Sequence, residues 1–432
     1  MSKGSRLPGF HKAKIAERLR RLAEAIECDE EDLAGLAESA SLPLANADAM
    51  IENAVGVLGL PVGIALNFVI DGEELVIPMA VEEPSVVAAC SLAAKLARAG
   101  GGFTTESSEP RMIGQVQITQ LANPEAAREL LLANRAQILE AANALHPQMR
   151  ARGGGCRELE VRLLDVPEDV QGNSYQRQVI LHLLVDTQDA MGANLVNTMC
   201  EGVAPLCEKL TGGKVRLRIL SNLADQRLSR ARVRIPIDAL ADFGLTGEEV
   251  ARGIADASRF ADADPYRACT HNKGVMNGVD AVVMATGNDW RAVEAGAHAY
   301  AARNGQYSPL AIWRVGNDGQ LEGTAELPLA LGIVGGAVRA HPGVRLALEI
   351  AGIRSARELA ELAGAVGLAS NLAALKALAS TGIQKGHMAL HARSVAAEAG
   401  AKGEQIERVA LILAREGDYR LERAQAVLRE VL

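Results

Sequence analysis

The chain has few aromatic side chains and no excess of positive charge. Phe, Trp and Tyr make up 3% of its 432 residues, and the formal net charge is −8. Proteins that bind nucleic acids need basic side chains for the phosphates and often use aromatic side chains on which bases stack. Because the chain has neither an excess of basic side chains nor many aromatic ones, the composition argues against a nucleic-acid partner.

Cysteine pairs and uninterrupted apolar runs are also lacking. The six cysteines form no CxxC motif, which is typical of reduced thiols in a cytosolic protein. The N-terminal MSKGSRLPGF contains no signal-peptide core. The longest apolar stretch, 54–70, is interrupted by Pro61, Asn67 and three glycines, whereas a membrane span needs about 20 mostly apolar residues. We therefore expect a soluble cytoplasmic protein of two or three domains, with no membrane partner.

The middle of the chain carries the pattern of a separate small domain. Residues 112–220 predict the order strand, helix (124–145), strand, strand, helix, strand, which is the ferredoxin-like arrangement. No GxGxxG segment occurs anywhere, so any dinucleotide site would not be of the Rossmann type. We predict an α+β protein with a large mixed domain (1–110 and 221–375), an inserted ferredoxin-like small domain (111–220) and a helical C-terminal flap (376–432).

Local signals outside the small domain predict further elements. The Asp71-Gly72 pair between two apolar runs predicts a β-hairpin with a two-residue turn. A capping box formed by Thr246 and Glu249 predicts the start of a helix that ends near residue 264. Residues 10–41 and 354–432 have helical patterns.

The segment 264–289, DPYRACTHNKGVMNGVDAVVMATGND, is the most informative part of the chain. Lys273 stands among amide side chains and glycines rather than among other charges. This composition indicates a cation pressed close to a ligand, with space provided by the glycines. A tight Asn-Gly turn is the commoner origin of such a composition. The apolar residues between Asn277 and Asp289 are typical of a strand.

Three other short stretches combine unusual residue types. Glu83 lies in VEEPS, where one or both acids could simply begin a helix ahead of Pro84. DAMGAN, residues 189–194, follows a predicted strand and opens a helix, which suits phosphate or ribose binding but is a weak signal alone. His387 and His391 are four residues apart, but without the HExxH glutamate we expect no metal site.

Together these stretches resemble 3-hydroxy-3-methylglutaryl-CoA (HMG-CoA) reductase, the soluble bacterial class II form in particular. The resemblance runs through SRLPGF, ENAVG, VEEPS, GGFTT, GGGC, DAMGAN, SNLAD, DPYRA, HNKG, ATGNDWRAVEAGAHAY, VGGA and GHMALHAR, nearly the whole chain. It implies interconversion of HMG-CoA and mevalonate plus coenzyme A, using two molecules of NADH or NADPH per HMG-CoA. It also implies a homodimer or a trimer of dimers whose active site is shared between subunits.

The resemblance assigns four catalytic roles that suit the chemistry. Lys273 would stabilise negative charge on the carbonyl oxygen, and Asp289 beside it would keep it charged and oriented. Glu83 would be the proton donor, which requires burial or a neighbouring acid, and only the family pattern prefers it to Glu82. His387 would protonate the departing CoA thiolate.

The resemblance also assigns binding residues. His146 stands where NAD-preferring members carry an aspartate; with Arg150 and Arg152 nearby it favours NADP, although the overall likeness is to NAD-using enzymes, so the choice stays open. His11 also replaces an arginine that is thought to meet a CoA phosphate. The remaining dinucleotide contacts would be Asp189, Met191, Gly192 and Asn194, and the HMG contacts Ser85, Arg267, Asn222 and Asn277.

Two other function classes fit parts of the sequence. A CoA-thioester lyase or thiolase-like acyltransferase would need no nicotinamide and would use Cys156 or Cys269 as nucleophile. Both cysteines are better explained as small buried residues. A regulatory protein that responds to CoA or a dinucleotide is the non-enzymatic alternative.

Overall fold

The computed structural model describes residues 4–37, 42–168, 175–242, 244–380 and 392–431. In these ranges ten strands form two sheets. The strands are β1 (Val62–Ile70), β2 (Glu73–Ala80), β3 (Phe103–Ser107), β4 (Arg111–Thr119), β5 (Gly155–Pro167), β6 (Tyr175–Asp186), β7 (Lys214–Leu220), β8 (Leu228–Pro236), β9 (Ala311–Val315) and β10 (Gln320–Pro328).

Helices connect and cover these strands. The α-helices are α1 (Ile15–Ile26), α2 (Glu30–Ala37), α3 (Leu44–Met50), α4 (Val86–Ala97), α5 (Pro124–Ala133), α6 (Arg135–Ala144), α7 (Pro147–Ala151), α8 (Ala193–Thr211), α9 (Gly247–Ala263), α10 (Pro265–Ala285), α11 (Trp290–Ala301), α12 (Gly336–Ala340), α13 (Pro342–Ala351), α14 (Ala356–Ala379), α15 (392–398), α16 (Glu404–Glu416) and α17 (Leu421–Val431). Short 3-10 helices cover Phe10–Lys12, Arg98–Gly100 and Ile237–Leu240.

The larger sheet has six strands in the order β2-β1-β3-β8-β10-β9. The predicted hairpin is confirmed as β1 and β2, and Asp71 and Gly72 both have positive φ angles (51° and 85°), which a primed two-residue turn requires. Helices α4, α9, α10 and α14 pack with this sheet around the main hydrophobic core. The stacked rings of Phe68 and Phe103 and the buried Trp313 are among the largest side chains of that core.

Helix α14 is the central helix of this core. It is the one helix of the described ranges that is long and apolar enough to cross a membrane, but 72% of its apolar window is buried inside the protein. The indole of Trp313 donates to Asn371 Oδ1 of this helix (2.8 Å), so the indole N–H within the core is paired. The apolar character of α14 is therefore explained by its position in the core.

The smaller sheet has four strands in the order β5-β6-β4-β7. All neighbouring pairs are antiparallel, and α5, α6 and α8 cover one face. The strands and helices follow the predicted succession. The single helix expected over 124–145 is wrong, because it breaks at Asn134 into α5 and α6.

The region around Lys273 differs from the sequence-based expectation. Neither an Asn-Gly turn nor a strand occurs: residues 265–285 form one helix, α10, which Asp264 caps and Pro265 begins. The glycines serve helix packing instead. A Cβ on Gly278 would lie 2.7 Å from the carbonyl oxygen of Val366 in α14, so only glycine allows this close approach.

Candidate active site

Glu83 and Lys273 meet in an ion pair, although 190 residues separate them in the chain. Lys273 Nζ donates to Glu83 Oε2 at 2.7 Å. The two side chains are 60% and 36% exposed, so the pair is open to solvent and to a ligand. Glu82 makes no such contact, and the geometry therefore singles out Glu83 of the two adjacent acids. The sequence predicted burial or a second acid around Glu83. In the fold its carboxylate instead contacts the Lys273 ammonium.

Buried neighbours on α10 hold Lys273 in place. Asn272 is fully buried, donates to Ser308 O (2.9 Å) and accepts from Leu310 N (2.8 Å). The buried His271 contacts Ala311 O through Nε2 (2.8 Å), and burial lowers the pKa of His271 to about 4. These two residues attach α10 to the end of the large sheet, which leaves the next side chain, Lys273, on the outer face of the helix.

Ser85 lies two residues after Glu83 and has an unusual conformation. Its φ of 80° is in the left-handed region, which L residues other than glycine, Asn and Asp rarely adopt. Its hydroxyl oxygen is buried and has no hydrogen-bond partner in the described part of the chain. Backbone strain and an unpaired buried hydroxyl each cost free energy and are concentrated at ligand-binding sites. The positive φ angle and the unpaired hydroxyl of Ser85 are therefore typical of a residue that contacts a ligand.

Asp289 does not pair with Lys273 in the chain. Its carboxylate caps α11 by accepting from the backbone N–H groups of Arg291 (3.1 Å) and Ala292 (3.2 Å), and it also pairs with the Arg291 side chain. Burial alone would raise the pKa of Asp289, but the hydrogen bonds from Arg291 and Ala292 hold it below its usual value. In this structure the carboxylate that contacts Lys273 is that of Glu83, and the role expected of Asp289 stays a prediction.

The three other predicted HMG contacts lie at different places in the fold. Arg267 is in the first turn of α10 and partly buried, its guanidinium has no partner among the described residues, and burial lowers its pKa. Asn277 is one turn after Lys273, on the same face of α10. Asn222 is an exposed residue between β7 and β8.

The predicted dinucleotide residues surround the start of α8. Gly192 caps this helix with a φ of 97°, and a Cβ there would lie 2.3 Å from the methyl carbon of Thr187. Asp189 accepts from Ala356 N (2.9 Å), the first residue of α14. Met191 is partly exposed and Asn194 exposed. His146 lies at the start of α7, and its Nε2 is buried without a hydrogen-bond partner in the described ranges.

The sequence-based interpretation did not identify a partly buried pair of acids between the lysine-bearing helix α10 and the next helix: Asp280 lies on α10 and Glu294 on α11. Burial, and then the adjacent Glu294 carboxyl, raise the pKa of Asp280 to about 8. Glu294 also pairs with His298 Nε2 at 2.6 Å, one turn further along α11. The i, i+4 spacing of Glu294 and His298 was visible in the sequence, but its link to Asp280 depends on how α10 and α11 pack.

His387 and His391 lie outside the described residues. No group of three or more His, Cys, Asp or Glu side chains within the described ranges has the arrangement of a metal site. Of the two candidate nucleophiles, Cys156 is buried and burial raises its pKa to about 12, whereas Cys269 is exposed on α10. A buried thiol that does not ionise is a poor nucleophile.

Comparisons with known proteins point to one family. A family model described as hydroxymethylglutaryl-coenzyme A reductase matches residues 14–392. The 3-hydroxy-3-methylglutaryl-coenzyme A reductase of Archaeoglobus fulgidus is 51% identical over 427 residues, which cover 99% of this chain and 95% of the relative. A probable reductase of the same name from Borreliella burgdorferi is 36% identical and covers 80% of this chain and 77% of the relative.

Solved structures show the same similarity over the whole fold. A 3-hydroxy-3-methylglutaryl-coenzyme A reductase from Streptococcus pneumoniae matches with a TM-score of 0.83 and 42% identity, over 98% of this chain and 99% of that one. A class II reductase from the same organism, bound to NADPH in open conformations, matches with a TM-score of 0.82 and 43% identity, over 86% and 99%. Because the family model spans most of the chain and the archaeal relative nearly all of it, the chain belongs to the HMG-CoA reductase family.

Proposed function

We infer that the protein interconverts HMG-CoA and mevalonate plus coenzyme A, a four-electron reaction that uses two molecules of NADH or NADPH. The observation that carries this inference is the 2.7 Å contact between Lys273 and Glu83, in a chain of the HMG-CoA reductase family. The reaction passes through mevaldyl-CoA and mevaldehyde. Bound NAD(P)H supplies the two hydrides.

Each reduction places negative charge on a carbonyl oxygen of the substrate. The Lys273 ammonium stabilises that charge, since a fixed cation aimed at a developing oxyanion lowers the barrier to its formation. Glu83 contacts the same ammonium and gives or relays the proton that turns the oxyanion into a hydroxyl. His387 protonates the CoA thiolate when mevaldyl-CoA breaks down to mevaldehyde. We propose that Asp289, the N-cap of α11, helps to keep Lys273 charged and oriented, although its carboxylate pairs with Arg291 in this structure.

The HMG moiety has a set of available polar partners. Ser85 offers an unpaired buried hydroxyl, and Arg267 offers a guanidinium that can bind the HMG carboxylate in a bidentate manner. Asn277 follows Lys273 on the same helical face, and Asn222 completes the predicted set. The unpaired state of Ser85 and Arg267 supports this assignment, because buried polar groups are normally satisfied.

The dinucleotide site lies at the start of α8. The small sheet, with its antiparallel order β5-β6-β4-β7 and two crossing helical segments, supports a ferredoxin-like dinucleotide-binding domain. Its residues fit such a ligand: Gly192 begins a 19-residue helix, whose N-terminus favours an anion, and His146 offers an unpaired ring nitrogen. The other proposed dinucleotide contacts lie in the loop before α8 and in its first turn: Asp189, Met191 and Asn194. The bound NADPH of the similar Streptococcus pneumoniae enzyme supports the cofactor class.

The domain division and assembly follow from the same proposal. The large domain comprises residues 1–110 and 221–375, the small domain 111–220 and the helical C-terminal flap 376–432. A homodimer or trimer of dimers in the cytoplasm is supported by an apolar stretch between α3 and β1, where Ile51, Val55 and Leu58 are 60%, 98% and 94% exposed. Exposed apolar patches commonly mark association surfaces.

Absorbance at the reduced-nicotinamide band after mixing the protein with HMG-CoA tests the function. Oxidation of two cofactor molecules per HMG-CoA is the expected result. Loss of the thioester without cofactor oxidation would indicate a lyase or acyltransferase instead. Binding of both ligands without turnover would indicate a regulatory protein.

A further inference from the structure

Arg227 is the only buried arginine in the described part of the chain, with 5% of its surface exposed. It lies just before β8 and has no carboxylate partner. Burial lowers its pKa to about 10, and the charges of Asp186 and Asp189 act in the opposite direction. The guanidinium therefore stays charged near neutral pH. A buried charge without an ionic partner is costly and is retained only where its hydrogen bonds are well satisfied.

The hydrogen bonds of Arg227 join two loops. Its Nη1 donates to Thr187 Oγ1 (2.9 Å), Ala190 O (3.1 Å) and Met191 O (3.4 Å), all in the loop before α8. Its Nη2 donates to Leu331 O, in the loop after β10. One planar side chain thus bridges residues 187–191 and the segment that begins at residue 329.

Further contacts fix these two loops against each other. Ile333 N donates to Asp189 O (2.9 Å), and Ala190 pairs with Val334 in an isolated parallel bridge. Gly332 lies so close that a Cβ there would be 2.5 Å from Met191 N. Gly332 N in turn donates to Asn288 Oδ1 (2.8 Å), and Asn288 directly precedes Asp289. The two loops and the start of α11 therefore form one connected unit.

We propose that Arg227 is a positioning residue for the reaction: it fixes the backbone of the loop 187–192 for the dinucleotide and ties that loop to the segment before Asp289. This inference rests on the proposed function, because it assumes that the loop binds NADH or NADPH. Arg227 touches no ligand itself. It acts through the carbonyl groups of Ala190 and Met191, whose orientation sets that of the following N–H groups at the start of α8.

The test compares Arg227→Lys and Arg227→Met with a matched control, Arg98→Lys. The Arg98 side chain is only 12% exposed, and its partners Ser5, Asn67 and Glu74 all belong to the N-terminal segment or the β1–β2 hairpin. We expect the Arg227 variants to raise KM and Kd for NADH and NADPH at least tenfold, with KM for HMG-CoA changed less than twofold. Arg98→Lys should lower Tm without changing either KM.

Equal changes in both KM values, or no change in either, would overturn the proposal, because Arg227 would then be merely structural. If neither Arg227 variant folds, hydrogen exchange on the unaltered protein decides: NADH or NADPH must slow exchange at residues 187–192 and 329–334 together, and slowing in only one loop contradicts the proposal. Failure of the unaltered protein to bind either dinucleotide would instead refute the proposed function.

Discussion

Replacing Lys273 by methionine separates the proposed catalytic role of the ammonium from its contribution to folding. The Lys273–Glu83 pair is a solvent-accessible ion pair at 2.7 Å, with side chains 60% and 36% exposed. Such pairs contribute about 0 to 1 kcal/mol to stability because water and salt screen them. Methionine keeps most of the apolar stem of lysine and removes only the charge. The free energy of unfolding should therefore change by less than about 1 kcal/mol.

The expected effect of Lys273→Met on turnover is much larger. Loss of one oxyanion-stabilising donor typically lowers kcat by about two to three decades, or roughly 2.7–4 kcal/mol. Steady-state oxidation of the reduced cofactor by HMG-CoA gives kcat, and urea unfolding gives the stability. Lys214→Met is the matched control, because Lys214 is also an exposed lysine (63%), with Glu208 at 3.9 Å. We expect Lys214→Met to keep full turnover.

Two results would refute this reasoning. The first is a fall in kcat of less than tenfold in Lys273→Met. The second is a loss of activity that matches a loss of folded protein. The double variant with Glu83→Gln adds a further check: if both groups act on the same proton and oxyanion, the two losses in kcat should be clearly less than additive.

Three further predictions concern other groups. His387→Ala should lose HMG-CoA reduction but still reduce free mevaldehyde, since no thiolate leaves in that step; loss of both activities would exclude the leaving-group role. Arg150 and Arg152, close to His146 in the chain, predict faster initial rates with NADPH than with NADH, because they can accommodate the 2′-phosphate of NADPH. His146→Asp should shift this ratio of rates at least tenfold towards NADH. Asp280 has a raised pKa of about 8 in the folded protein, so the stability it contributes is complete below pH 4 and is lost as the pH rises to about 8. Asp280→Asn should flatten the fall of the unfolding free energy between about pH 4 and pH 8, because it removes the group whose proton binding differs between the folded and unfolded protein; an unchanged slope of unfolding free energy against pH would contradict it.

Strands and helices with strong local signals could be predicted from the sequence. The Asp71-Gly72 turn and the Thr246–Glu249 capping box are set by residues adjacent in the chain, and both are present in the fold. The four strands of the small sheet were also predictable, because each contains several apolar or β-branched residues close together in the chain. Strand β8 was not predicted, although Ser229, Ala231, Val233 and Ile235 alternate with arginines and face the core.

The interpretation of the Lys273 segment shows why local composition was insufficient there. Glycines within a helix usually argue against the helix, because they cost conformational entropy. Gly278 is nevertheless required in α10, because α14 passes so close that a methyl group would not fit between the two helices. That contact joins residues far apart in the chain, so no local pattern reveals it. For the same reason the sequence could not choose between Glu82 and Glu83, a choice that the position of Lys273 makes.

Helix α14 connects two of the proposed functional parts, which are distant in sequence, and leads towards a third. At about 1.5 Å per residue its 24 residues form a rod roughly 36 Å long. The amide of Ala356 at one end holds Asp189, the middle receives Gly278 of the lysine-bearing helix, and the other end leads into the stretch that contains His387. If the proposed roles hold, a substitution that tilts this rod should disturb nucleotide binding and oxyanion stabilisation together, without touching any reacting atom.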